Sequence, residues 1–100
     1  MSVATETLPA VTLRQLQYLV AVADLGGFRR AADACHVAQP SLSAQIAHAE
    51  RQLGVQVFER SRRHVRVTSA GEAIVAQARR VLVSASDLGT VHFQPVIMAP

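Results

Sequence analysis

Apolar residues recur at helical spacing along most of this chain of 100 residues, and only one short stretch alternates instead. The first helix is predicted to begin after Thr12, because Thr12 and Gln15 form a capping-box pattern, and to end before Gly26. Its buried stripe consists of Leu16, Leu19, Val20 and Ala23. A second, short helix is predicted through residues 30–35, where consecutive alanines allow another helix to come close.

A tight connection at residues 36–38 leads to a third helix, which is predicted to begin near Gln39 and to end at Gly54. Pro40 fits its first turn, where the amide that proline lacks would have been unpaired anyway. The residues that turn one edge of this helix to the core, at spacings of four, three and four, are Leu42, Ile46, Ala49 and Leu53.

β-branched residues alternate in the next segment, residues 55–68, on both sides of a basic loop. This alternation predicts a hairpin with a charged tip. Thr68 can then cap a long last helix, which is predicted to continue to Leu88. That helix carries a heptad-like apolar seam, formed by Ile74, Ala78, Val81, Ala85 and Leu88 with Leu82 beside it.

Three short helices, a hairpin and a long helix in this order predict a mainly α fold, a winged helix-turn-helix followed by a linker helix. The expected organisation is a flexible extension over residues 1–10, a winged domain over 11–68, a dimerisation helix over 69–89 and a tail over 90–100. The seam could pack on its own domain, but a helix of about 20 residues spans roughly 30 Å and outruns so small a body. Pairing between two copies of the chain is therefore the preferred interpretation.

The third helix is expected to present small amides and hydroxyls outward, whereas a purely structural surface helix usually carries Lys and Glu. An α-helix fits the major groove of DNA, where Gln can bond adenine and Ser can bond donors or acceptors. The residues expected to contact DNA are Gln39, Pro40, Ser41, Ser43, Ala44, Gln45 and His48 on this helix and Arg62, Arg63 and His64 at the hairpin tip. The alternative interpretation is an ordinary solvated helix face and hairpin end.

Basic residues outnumber acidic ones by 10 to 7, and every basic residue is Arg. Arg pairs with phosphates and guanine edges through a planar fork that Lys lacks. Seven of the ten arginines lie within residues 28–66, against three carboxylates in the same segment. The positive charge is concentrated where the third helix and the hairpin are predicted, which favours a nucleic-acid partner.

Candidates for other chemistry are few. Cys35 is the only cysteine, so no internal disulfide is expected, and a buried inert thiol is favoured over a redox switch. The four histidines do not cluster in the sequence, and no nucleophile with a base stands out, so no enzyme activity, metal or cofactor is expected. Neither a signal peptide nor a membrane span is predicted, and a reducing cytoplasm is the expected setting.

Several motifs together resemble the DNA-binding half of LysR-type transcriptional regulators, over nearly all of residues 11–88. They are LRQLQYLVAVADLGGF, the pair Ala31-Ala32, HVAQPSLSAQI, LGVQVFER and the segment 67–72, in the order and spacing of that family. The resemblance implies a bacterial, dimeric, sequence-specific DNA-binding protein. It also implies a small-molecule effector, sensed by a C-terminal domain of which the tail at 90–100 is at most the first strand.

Four residues depart from the family pattern. Arg29 and Ala38 stand where Ser or Thr commonly caps the second and third helices. Ala44 replaces an Arg that often reads bases, and Ala49 replaces a core Leu, so base readout by an arginine at position 44 is not expected. A second function remains open: a truncated chain that pairs with a full-length regulator through the linker helix and inactivates it.

Overall fold

The structure is a computed structural model that describes residues 11–61 and 64–89. The elements in order are α1 (Leu13–Leu25), α2 (Phe28–Cys35), α3 (Gln39–Leu53), β1 (Phe58–Arg60), β2 (Val65–Val67) and α4 (Ser69–Asp87). This is the predicted winged helix-turn-helix with a long final helix, and the fold prediction is confirmed. The predicted extension at 1–10 and tail at 90–100 lie outside the described residues.

The predicted capping box forms at the start of α1. The Thr12 hydroxyl accepts from the Gln15 amide at 3.1 Å, and the Thr12 amide donates to Gln15 Oε1 at 3.0 Å. The helix ends at Gly26, whose φ of 75° lies in the left-handed region that favours glycine. Helix α2 begins at Phe28, two residues before the predicted segment, because the Phe28 ring is buried and holds the first turn against the core.

The turn between α2 and α3 is as short as predicted. His36 takes a left-handed conformation with φ 60°, and its amide and that of Val37 donate back to the last turn of α2. Helix α3 then begins at Gln39 with Pro40 in its first turn. The predicted core edge is confirmed, since Leu42, Ile46 and Ala49 are fully buried and Leu53 is half-buried.

The hairpin is antiparallel, with Phe58 opposite Val67, Glu59 opposite Arg66 and Arg60 opposite Val65. Each strand has three residues, so the hairpin is shorter than the alternating pattern of the sequence predicts. Behind it, the Thr68 hydroxyl accepts from the Gly71 amide at 2.9 Å and caps α4 as predicted. A side chain at position 71 would not fit, since a Cβ there would lie 2.4 Å from the Val57 carbonyl oxygen.

Helix α4 packs along α1 through one row of small and medium-sized apolar residues. The buried members of this row are Val75, Ala78, Leu82 and Ala85. Arg79 adds a two-pronged ion pair with the buried Asp24 carboxylate of α1, and its hydrogen bonds there raise the pKa of the Arg79 guanidinium. Within residues 11–61 and 64–89, no helix combines the length and the apolar character that crossing a membrane requires.

Candidate nucleic-acid interface

The face of α3 opposite its core edge is uncovered. Ser41, Ala44 and Gln45 are exposed and His48 is half-exposed, at spacings that place them along one ridge of the helix. Among the described residues, the side chains of Ser41 and His48 form no hydrogen bond. Four of the predicted contact residues therefore share one surface, and small side chains leave its backbone approachable.

Gln45 differs from the other residues of this ridge because it has an internal partner. The side-chain nitrogen of Gln15 on α1 donates to Gln45 Oε1 at 2.7 Å. Gln15 is 4% exposed and is the buried polar residue of the described core. The amide of Gln45 therefore has a fixed contact on its protein side while the residue itself remains exposed.

Gln39 and Ser43 lie on the flank of α3 that faces the hairpin, and Gln39 and its neighbour Pro40 are exposed. Gln39 and Ser43 line an open groove of about 410 Å³, together with Arg29 of α2 and His64 of the hairpin. The structure thus brings residues from both predicted contact sets to one groove. Arg62 and Arg63, the other two predicted tip residues, lie outside the described residues.

Side-chain contacts hold the base of the hairpin against α3 and α2. Glu50 accepts from the amides of Val57 and Phe58 at 2.8 and 3.2 Å, and its other oxygen lies 3.6 Å from Arg60. The Arg60 guanidinium lies over the Phe28 ring, 4.5 Å from its centre, in cation–π geometry. The hairpin therefore has a defined position relative to the ridge on α3.

Most of the described arginines in this region have no carboxylate partner. Among those within residues 28–61 and 64–66, Arg60 alone forms an ion pair, and Arg29, Arg30, Arg51 and Arg66 are exposed. At the hairpin tip, His64 is exposed and its amide donates to the Ser61 hydroxyl at 3.1 Å. The uncovered positive charge is available to an anionic partner.

Only part of the predicted dimerisation seam is accessible. Ala78, Leu82 and Ala85 are at most 8% exposed because they pack within their own domain, so they leave almost no surface for a second chain. Ile74 is half-buried against the core. Val81 and Leu88, in contrast, are 39% and 80% exposed.

Cys35 is half-buried at the end of α2. Burial raises the pKa of its thiol, and the nearby Arg14 guanidinium opposes this shift to a smaller extent. The raised pKa favours the inert thiol expected from the sequence, but Cys35 is half-buried and not buried as expected. In the part of the chain that the structure describes, no group of three or more His, Cys, Asp or Glu side chains could hold a metal ion.

Three residues of this region were not predicted to act in it: Gln15, Glu50 and Arg60. Glu50 carried a signal in the sequence, because it is the first charged residue of α3 after eleven uncharged ones. Arg60 ends the LGVQVFER motif. Gln15 was assigned only to the capping box, and nothing local in the sequence indicates its partner on α3.

Comparisons with known proteins agree with this geometry. The family model of bacterial regulatory helix-turn-helix proteins of the lysR family matches residues 13–72. The DNA-binding transcriptional dual regulator OxyR of Escherichia coli K12 is 54% identical over 72 residues, which are 72% of this chain and 24% of OxyR. The regulator TfdT of Cupriavidus pinatubonensis is 47% identical over 70 residues, which are 70% of this chain and 31% of TfdT.

Solved structures show the same likeness. The CbnR DBD–DNA complex contains a chain that is 42% identical with a TM-score of 0.75, and the match covers 78% of this chain and 90% of that one. A full-length OxyR from Pseudomonas aeruginosa is 49% identical with a TM-score of 0.74, over 77% of this chain and 26% of that one. The chain spans about a quarter of the length of the OxyR-type curated relatives that it matches.

Proposed function

Because the chain belongs to the LysR family of bacterial helix-turn-helix proteins, we propose that it is the DNA-binding module of a transcriptional regulator. Its ligand is double-stranded promoter or operator DNA. Helix α3 enters the major groove with the ridge that contains Ser41, Ala44, Gln45 and His48, and the hairpin contacts the sugar–phosphate backbone beside it.

The observation that carries this proposal is the uncovered ridge on α3 beside arginines that lack carboxylate partners. The ridge has short polar side chains with free hydrogen-bonding groups, which suits close approach to base edges. Arg29 and Arg66 supply positive charge on the elements that flank it. The alternative interpretation, an ordinary solvated helix face, would explain neither the arginines without carboxylate partners nor the fixed position of the hairpin beside α3.

Binding of labelled promoter DNA to the purified chain, followed by fluorescence anisotropy at several salt concentrations, tests the proposal. We expect affinity to fall steeply with salt, because bound arginines release counterions from the phosphates. Equal affinity for DNA and for an uncharged polymer, or no salt dependence, would contradict it. Loss of binding by a full-length regulator without binding by this chain would instead support the inactivating fragment.

Base contacts and phosphate contacts are distinguishable by substitution. Gln39→Ala should reduce discrimination between operator and mutated sites by about 1 to 3 kcal/mol, because a base contact is lost. Arg62→Ala should weaken binding to all DNA alike and make the salt slope shallower by about one. Arg80→Ala on α4 is the matched control, since it removes an exposed arginine outside the ridge and groove. Equal effects of Gln39→Ala and Arg62→Ala on specificity would contradict the assignment.

The proposed regulator is a homodimer whose chains meet through α4. Val81 on α4 and Leu88 at its C-cap are exposed seven residues apart, so they lie on the same side of the helix, beside the row that packs on α1 but outside it. Val81→Glu should separate the dimer in sedimentation experiments, whereas Arg80→Glu, at an exposed polar position beside it, should not. A Val81→Glu dimer of unchanged stability would show that this surface is not the contact.

The effector, the location and the activity of the proposed regulator are inferred from the longer proteins of the family. A small-molecule effector would act through a sensor domain in the full-length protein, and the cytoplasm is the expected location of a protein that binds chromosomal DNA. Its proposed activity is regulation rather than catalysis, as in the transcriptional regulators OxyR and TfdT.

A further inference from the structure

We infer that Gln15 is a positioning residue that determines which side-chain atom of Gln45 faces DNA, and so which bases α3 prefers at one position. This inference rests on the proposed DNA binding. It concerns a residue of α1 that is buried and does not itself belong to the exposed ridge.

The argument begins at a backbone amide, which can only donate. The amide of Thr12 donates to Gln15 Oε1 at 3.0 Å, so the oxygen of the Gln15 side chain must point toward Thr12. Its nitrogen then points the other way, toward α3, where it donates to Gln45 at 2.7 Å. Because that partner must be an acceptor, the oxygen of the Gln45 amide is held on the protein side.

This hydrogen-bond relay leaves the nitrogen of Gln45 as its outward group. Gln15 is 4% exposed, and its side chain is engaged at both ends, so it cannot turn away without breaking the capping box. A free glutamine can pair with adenine through its oxygen and nitrogen together. The bond from Gln15 occupies one of the two lone pairs of the Gln45 oxygen and turns that atom toward the protein, so we expect Gln45 to contact DNA mainly through its nitrogen. A donor suits bases that present acceptors alone in the major groove, guanine and thymine.

Gln15→Glu reverses the relay while keeping the capping box. A carboxylate at position 15 still accepts from the Thr12 amide, as Glu commonly does in this motif, but it has no hydrogen to donate. Gln45 then turns its nitrogen toward this carboxylate and its oxygen toward DNA. The preferred base should change from guanine or thymine to adenine or cytosine, which offer donors.

Selection of bound sequences from a random DNA library, with the purified wild-type chain and each variant, tests the inference. Gln45→Ala identifies the position that depends on Gln45, because discrimination is lost there. At that position, Gln15→Glu should raise the ratio of adenine and cytosine to guanine and thymine among the selected sequences by at least about fivefold. This is the size of effect expected for one hydrogen bond. All other positions should keep the wild-type preference.

Two further variants separate positioning from stability. Thr12→Ala removes the other half of the capping box but leaves the relay, so it should lower stability and keep the wild-type base preference. Gln15→Met removes the relay without reversing it, so base discrimination at the same position should fall. If circular dichroism shows Gln15→Glu to be unfolded, Gln15→Met serves as the test in its place. Absence of any selected sequence for the wild type would defeat the proposed function. A wild-type sequence preference that both Gln15 variants retain would overturn the role of Gln15 alone.

Discussion

The starts of the four described helices are of two kinds. Helices α1 and α4 begin with side-chain caps, from Thr12 and Thr68, whereas α2 and α3 follow Gly27 and Ala38, which form none. The capped helices pack along each other and carry the Asp24–Arg79 ion pair. The uncapped pair forms the helix-turn-helix and lines the groove beside the hairpin.

This difference shows that the two halves of the molecule are stabilised in different ways. The scaffold pair has local hydrogen bonds at its helix starts in addition to its packing. The helix-turn-helix pair depends on buried side chains, such as Phe28 and Leu42, and on the contacts of Glu50 with the hairpin. Removing a side-chain cap should therefore destabilise the scaffold pair, whereas adding one should stabilise the helix-turn-helix pair.

The largest effect is expected for Gly71→Ala, at the capped start of α4. The added Cβ would lie 2.4 Å from the Val57 carbonyl oxygen and 2.9 Å from Val57 Cα, and because both of these atoms are backbone, α4 or the hairpin must move. We expect the free energy of unfolding in urea to fall by about 3 kcal/mol. Gly27→Ala is the control at an uncapped start, because no atom lies within 4 Å of its Cβ. Equal midpoints for the two variants would disprove the close approach.

A smaller loss is expected for Thr68→Ala. The Thr68 hydroxyl accepts from the Gly71 amide at 2.9 Å and donates to the Gln56 carbonyl at 2.6 Å. Removing both bonds should lower the free energy of unfolding by about 1 to 2 kcal/mol. Thr68→Ser retains the hydroxyl and should lose much less. Similar losses for the two variants would assign the effect to the methyl group rather than to the cap.

The smallest effect, and the only gain, is expected for Ala38→Ser at the uncapped start of α3. A serine hydroxyl there could accept from a free amide in the first turn, which alanine cannot do. We expect about 1 kcal/mol of added stability, seen as a higher urea midpoint. Ala38→Val changes the side chain without supplying an acceptor and should give no gain. An unchanged midpoint for the serine variant would mean that another group already satisfies these amides.

The sequence was informative where structure depends on neighbours along the chain. The capping box, the start of α3 at Gln39 and the Thr68 cap all follow from residues within one helical turn. The start of α2 does not, because it depends on Phe28 packing edge-on against Phe58 of the hairpin, 5.9 Å between ring centres.

The inward face of α4 was also ambiguous from sequence. The predicted dimerisation residues and the observed buried row share Ala78, Leu82 and Ala85. Only contact with α1 distinguishes Leu82, which is buried, from Val81, which is exposed. The bond between Gln15 and Gln45 joins residues 30 positions apart. Periodicity could predict that both helices contribute to the domain, but not that these two amides meet.

The attachment of the hairpin through Glu50 and Arg60 limits which shapes of the proposed DNA duplex would fit. Because Glu50 is part of α3 and Arg60 lies over Phe28 of α2, contacts within the protein set the separation between the ridge on α3 and the hairpin. A duplex that contacts both must match that span through its own groove width. DNA that is easily compressed or widened would meet this requirement at lower energetic cost, so base steps that no side chain touches can still influence which sites are occupied.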